Sequence, residues 1–477
     1  MTNANLNKLT IKKALQGLKE KKFSCVELLN SCFKQIEKHD NKIKAFITTC
    51  PKEALEKAKN IDRLIKKDKD IFNKNPLLGI PYSAKDVFCT KGVRTTASSR
   101  VLKDYVPQYN ATVINKLNNA GAILIGKTNC DPFGFGSSTE NSGFQITRNP
   151  WDLSKVPGGS SGGSAAAVIS NMGLFSLAED TGGSIRQPAC FCSVSGMKVT
   201  YGRVSRYGVI AYGSSLDTIG PMTKNVEDLS LVLKVIAGKD PKDATTLEKP
   251  VPNYLNSLKN NIKELTIGLP EEYYDKGINK KVKDVVLNAS QELKKAGCKI
   301  IRVSLPHTKY AVPAYYMAGM SEVSANLARY DGIRYGQTRN SFEPEVKRRI
   351  MLGTYALSAG YYEAFYQKAM KVRTLIRQDF DNVFKNVDLL LTPVSPTPPF
   401  NIGEKVDNPL AMWMADIYTV TINPAGVPAL AIPCGFTNKN LPIGMQLIGP
   451  QFSEDLLFNV GYAYQQVTDW HLKKPKL

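Results

Sequence analysis

"VPGGSSGGSAAAV", residues 156–168, and "EDTGGSIRQPA", residues 179–189, decide how the rest of this chain is read. Gly and Ser crowd both stretches, yet apolar or charged residues stand directly beside them, which flexible Gly/Ser linkers lack. The paired Gly182 and Gly183 permit backbone N–H groups to converge on one point, as stabilisation of an oxyanion requires. Either stretch by itself reads first as a turn. "GGSSG", residues 158–162, also satisfies G-x-S-x-G with Ser160 at its centre, but a nucleophile elbow needs a histidine base. The chain has three histidines. His39 falls on a charged helix face and His471 in the basic tail, both expected in solvent, and His307 follows a proline in the loop-like "LPHTK". A Ser-His-Asp triad is not expected, so the base must be another residue.

A hydroxyl nucleophile can use a neutral lysine instead, provided burial favours the uncharged amine. Lys85 ends the apolar, β-like run "NPLLGIPYSAK", unlike the many lysines on charged helices; the competing reading pairs it with adjacent Asp86. A second lysine draws attention for a different reason. "GAILIGKT", residues 121–128, spells the phosphate-loop pattern G-x-x-x-x-G-K-T. Its four spacer residues are Ala122, Ile123, Leu124 and Ile125, which read as a strand and leave no glycine-rich loop. Pro132 and two glycines follow, where a phosphate loop would begin a helix. Lys127 is therefore expected to be structural, within a strand and turn.

Outward from these motifs, helices and strands interleave, which predicts an α/β sheet protein. Ile11, Leu15 and Leu18 give a first helix a buried stripe, and Ser24 with Glu27 forms a capping box before Leu29, Phe33 and Ile36 repeat the spacing. A third helix covers 51–70, and "NATVINKLNNAG" is a helix stopped by Gly121. "KDPKDATTLEKPVPN", residues 239–253, is a polar connection. Beyond it "LTIGLP" and "GCKIIRVSLP" read as strands around a helix, and 343–385 as one long helical stretch. "LLLTP", "VPALAIPCG" and "LPIGMQLIG" read as further strands.

The chain has 477 residues, 43% hydrophobic and 22% charged, an ordinary balance for a globular enzyme. No run of about 18 apolar residues predicts a membrane span, and the N-terminus lacks the apolar core of an export signal, so a cytoplasmic, membrane-free setting is expected. Nine cysteines without a C-x-x-C pair suit reduced thiols and predict no metal site. The net charge of +21 favours work near nucleic acid, although abundant Lys throughout the chain accounts for much of it.

Lys85, "PGGSSGGS" and "DTGGSIRQP" together resemble the amidase signature family, over most of the chain. The resemblance implies an α/β fold with a large mixed β-sheet covered by helices on both faces. It implies one domain over 1–477, with a signature core at 76–238 and 254–477 completing the sheet and substrate pocket. It makes Ser184 the acyl nucleophile, Ser160 the bridging serine with a cis peptide, and Lys85 the base. The amides of Thr181, Gly182, Gly183 and Ser184 would line the oxyanion hole, with Asp180 and Arg186 bracing the loop. Three longer stretches, 136–168, 200–221 and 345–376, resemble more narrowly the glutaminase (A) subunits of tRNA-dependent amidotransferases. For those the resemblance implies glutamine as substrate, held by Tyr315, Arg349 and Asp416. It also implies B and C partner subunits, ATP and Mg acting at the B subunit with no cofactor in this chain, and misacylated tRNA, Glu-tRNA(Gln) or Asp-tRNA(Asn), bound mainly through B. A stand-alone amidase for small or aryl amides is the alternative. Two departures stand out: Gly134 and Phe135 occupy positions where relatives carry Ala-Met, and the segment between "DGIRYG" and Glu345 is short.

Overall fold

The computed structural model describes residues 3–477 except 69, 276, 331 and 333–335, so part of the short segment before Glu345 lies outside the described residues. Eleven strands form one sheet: β1 (Phe46–Thr49), β2 (Pro81–Lys85), β3 (Ile123–Thr128), β4 (Phe175–Asp180), β5 (Ser195–Lys198), β6 (Thr218–Thr223), β7 (Thr266–Pro270), β8 (Lys299–Val303), β9 (Leu389–Pro393), β10 (Ala429–Phe436) and β11 (Pro442–Ile448). Their order is β1-β3-β2-β4-β6-β5-β10-β11-β9-β7-β8. The sheet is mixed: β2 runs parallel to β3 and β4, and β7 to β8 and β9, while the other neighbours are antiparallel. Every residue of β2, β4, β6, β9 and β11 is buried. Successive side chains point to opposite faces, so such strands require cover on both.

That cover comes from helices whose ends are written in the sequence. Ser24 Oγ accepts from Glu27 N while the Glu27 carboxylate accepts from Ser24 N, the expected capping box of the helix Cys25–Ile43. The third helix runs Pro51–Lys67 with proline at its first position. The apolar, alanine-rich helix Gly162–Ile169 is buried at every residue and lies against β2 and β4. No described helix is long and apolar enough to cross a membrane.

Two expectations are corrected. The stretch 343–385 is not one helix: Pro344–Ala356 ends before Gly360, whose φ of +83° suits glycine, and the chain restarts through one π turn into Lys368–Val383. His471 is not freely solvated but half-buried, and burial lowers its pKa to about 4.

Parallel pairing has one consequence for function. Ala84 of β2 sits opposite Leu177 of β4, so Lys85 and the Glu179–Asp180 pair emerge together at the carboxyl ends of adjacent strands. Open sheets with parallel strands bind their ligands outside such ends.

Candidate active site

Lys85, fully buried at the end of β2, donates to Ser160 Oγ at 2.6 Å. Its second partner is Glu179 Oε2 at 2.8 Å, not Asp86. Asp86 instead faces Lys127 at 3.3 Å and accepts from Thr96 N and Oγ1 at 2.9 and 2.5 Å. Lys127 also donates to Phe88 O and Thr95 Oγ1, at 2.7 and 2.8 Å, and burial lowers its pKa. It lies in β3 as a buried ion-paired residue, with no glycine-rich loop before it.

The Gly159–Ser160 peptide bond is cis. Gly158 has φ +82°, and a Cβ on it would lie 2.9 Å from Pro188 Cα, so this loop closes against the start of the helix Arg186–Cys192. Ser161 N donates to Ser184 O at 3.2 Å, which brings the loop carrying Ser160 against the loop carrying Ser184. Ser184 is 6% exposed, and its Oγ has no hydrogen-bond partner among the described residues.

Asp180 organises the second loop. It accepts from Gly183 N at 2.8 Å, Ile185 N at 3.0 Å and the Arg186 guanidinium at 3.0 Å. Burial alone would raise its carboxyl, but Arg186 and the amides hold it at about 2. Arg186 continues to Thr419 O, Gln446 Oε1 and Asn423 Oδ1, tying the loop to the carboxyl-terminal half. Of the four amides expected as oxyanion donors, that of Gly183 donates to Asp180 in this structure and holds the loop.

The three expected substrate-binding residues gather around this loop. Tyr315 lies so close to Gly182 that a Cβ there would be 2.4 Å from its Oη. Arg349, 3% exposed, donates to Glu345 Oε1 at 2.8 Å and Tyr212 Oη at 2.6 Å, with its guanidinium over the rings of Phe135, Tyr212 and Tyr316. Asp416 accepts from Ser137 Oγ at 2.5 Å, Tyr316 Oη at 3.1 Å and Gln187 Nε2 at 3.4 Å. Its burial raises the carboxyl to about 7, against those hydrogen bonds and the charge of Arg349. A guanidinium and a carboxylate bridged by one tyrosine suit the carboxylate and ammonium of a free amino acid.

Sequence reasoning missed Glu179, Asp217, Ser137 and Tyr212. Glu179 stands beside Asp180 in the quoted motif, and only the side-by-side pairing of β2 and β4 gives it Lys85 as a partner.

A family model described as Amidase matches residues 27–458. The chain is 53% identical to the A subunit of glutamyl-tRNA(Gln) amidotransferase from Chloroflexus aggregans, with 99% of each chain covered. It is 52% identical to the protein of the same name in Geobacillus kaustophilus, over 96% of this chain and 97% of the relative. Among solved structures, the A subunit of glutamyl-tRNA(Gln) amidotransferase from Thermotoga maritima superposes with a TM-score of 0.83 at 41% identity, covering 97% and 95% of the two chains. A bacterial aryl acylamidase of the amidase signature enzymes superposes at 0.87 with 25% identity, covering 97% of each.

Proposed function

The chain belongs to the amidase family, and from that premise we propose that it is the glutamine-hydrolysing subunit of a tRNA-dependent amidotransferase. The observation that carries this reading is the buried contact of 2.6 Å between Lys85 Nζ and Ser160 Oγ, set against a loop whose Ser184 hydroxyl has no hydrogen-bond partner among the described residues. Lys85, as the neutral amine, accepts a proton through Ser160 while Ser184 Oγ attacks the side-chain amide carbon of glutamine. The amides of Thr181, Gly182 and Ser184 stabilise the oxyanion. The relay then protonates the leaving nitrogen, ammonia departs, and water hydrolyses the acyl-enzyme by the reverse path. Arg349 holds the substrate α-carboxylate, and Asp416 with Tyr315 holds its α-ammonium.

Identity above 50% to two amidotransferase subunits, against 25% to the aryl acylamidase, supports the glutaminase over a stand-alone amidase. The ammonia serves a partner B subunit that activates misacylated Glu-tRNA(Gln), or Asp-tRNA(Asn), with ATP and Mg, with a C subunit joining the two in the cytoplasm. The test is ammonia release from glutamine by the purified chain, alone and with those subunits, ATP and misacylated tRNA. Glutamine hydrolysis should rise with the partners, and Ser184→Ala or Lys85→Ala should lower kcat by roughly 10²–10⁴. A complete assembly that leaves glutamine intact, or variants that keep full activity, would overturn the reading.

A further inference from the structure

Glu179 has no part in the trio, yet it makes a direct ion pair with the lysine of that trio. Its Oε2 lies 2.8 Å from Lys85 Nζ, with the side chains 3% and 0% exposed. A carboxylate at that distance in a buried site favours the ammonium form of its partner. The ammonium has no lone pair with which to take the Ser160 proton.

The other Glu179 oxygen leads to a second acid. Thr181 Oγ1 is hydrogen-bonded to Glu179 Oε1 and lies 2.6 Å from Asp217 Oδ1. A hydroxyl has one proton to donate, so both contacts are hydrogen bonds only when one of the two acids is protonated. Asp217 also accepts from the amides of Tyr212 and Gly213, and its carboxyl is raised by burial and then by the charge of Glu179. Among the described residues, further titratable or charged groups facing this chain are Asp131 and Cys130, which interact with Lys85, and Arg206, Tyr201 and Tyr212, which interact with Asp217. Space for the carboxylate comes from Gly134, one of the two departures from the family pattern. A Cβ there would lie 3.3 Å from Glu179 Oε2 and 3.6 Å from Ser160 Oγ, on a backbone with φ +89°.

We propose that Glu179 is a positioning residue that governs the charge of Lys85, holding it as an ammonium until the carboxylate takes up its proton. In that step a Lys85 N–H bond breaks and a Glu179 O–H bond forms, leaving a neutral amine beside a neutral acid. The amine then accepts the Ser160 proton as Ser160 takes that of Ser184 and Ser184 Oγ bonds to the amide carbon. The proton on Lys85 returns through Ser160 to the leaving nitrogen, and the Glu179 proton is restored to Lys85 when the cycle closes. Thr181 and Asp217 set how readily Glu179 accepts that proton.

This rests on Lys85 and Ser184 acting in glutamine hydrolysis, and the test separates the two claims. The pH dependence of kcat is measured at saturating glutamine on the full chain with its partner subunits present. Glu179→Gln keeps the shape and removes the internal proton acceptor, so Lys85 must lose its proton to solvent and the pH of half-maximal kcat should rise by about one unit or more, roughly tenfold in proton concentration. KM should stay within about twofold, because Glu179 does not face the α-carboxylate or α-ammonium site. A merely structural residue would lower kcat at every pH without moving the midpoint. An unmoved or lowered midpoint overturns the proposal. Should Glu179→Gln not fold, Glu179→Thr, which also removes the charge, carries the same expectation. If Ser184→Ala and Lys85→Ala retain wild-type hydrolysis, the functional reading fails; if they abolish it and Glu179→Gln leaves the midpoint in place, only this inference fails.

Discussion

In the proposed site, Asp416 would couple substrate binding to pH through a single side chain. Its carboxyl is raised by burial to about 7. Only the ionised form attracts the α-ammonium of glutamine. Below about pH 7 Asp416 is increasingly protonated, so KM for glutamine should rise there by up to about tenfold per pH unit and level off above it. Asp416→Asn should raise KM and remove the slope, and a wild-type KM that is flat across this range would count against the role. The same residue marks what sequence can and cannot disclose. Lys85, Ser160 and Ser184 lie in Gly-Ser motifs and at an apolar strand end, where composition alone draws the eye. Asp416 in "MWMADIY" and Arg349 in a basic run offer no such local signal, and only the family resemblance singles them out. Glu179 escaped both routes, because its partner lies 94 residues away in sequence.

At the scale of elements, the loop 181–184 has no room for a side chain at either of its glycines. Gly183 has φ +139°, and a Cβ there would lie 2.3 Å from Thr419 Oγ1, which itself donates to Gly182 O at 2.6 Å. Gly183→Ala must displace either Thr419 or the loop, and a shift of about 1 Å in the oxyanion donors should lower kcat about 10²-fold. Comparing kcat with the thermal melting of the same variant separates a displaced loop from an unfolded chain; wild-type kcat in a folded variant would refute the close fit. Elements with local signals were legible, among them the capping box at Ser24 and the strand that disguised itself as a phosphate loop. The break between Ala356 and Lys368 was not. Its residues keep helix-forming character on both sides, and the turn that follows Leu357 passes through the left-handed backbone of Gly360. Strands such as β4 and β6 were also missed as strands, because burial on both faces removes the alternation that would reveal them.

Across the whole molecule, the polar connection at 239–253 reads in the sequence as the best place to divide the chain, whereas the sheet runs straight across that division. Residues Gly196–Lys198 of β5 pair with Ala429–Ala431 of β10, joining strands that precede the connection to strands that follow it. The site is assembled across the same seam: Arg186 bonds Asn423 and Gln446, Ser137 bonds Asp416, and Tyr212 bonds Arg349. The connection is itself anchored, with Asp240 accepting from Thr112 and Ser205, while Leu247 and Glu248 are exposed. A protease site inserted between Leu247 and Glu248 should therefore be cut readily without separating the two pieces. They should co-elute, unfold in one thermal transition and hydrolyse glutamine at close to the uncut rate, since no residue of the site lies in the insert. Two transitions, or fragments that part under native conditions, would mean that the shared sheet is not the unit of folding. In that case the two halves would hold the catalytic loops together only through the side chains that cross between them.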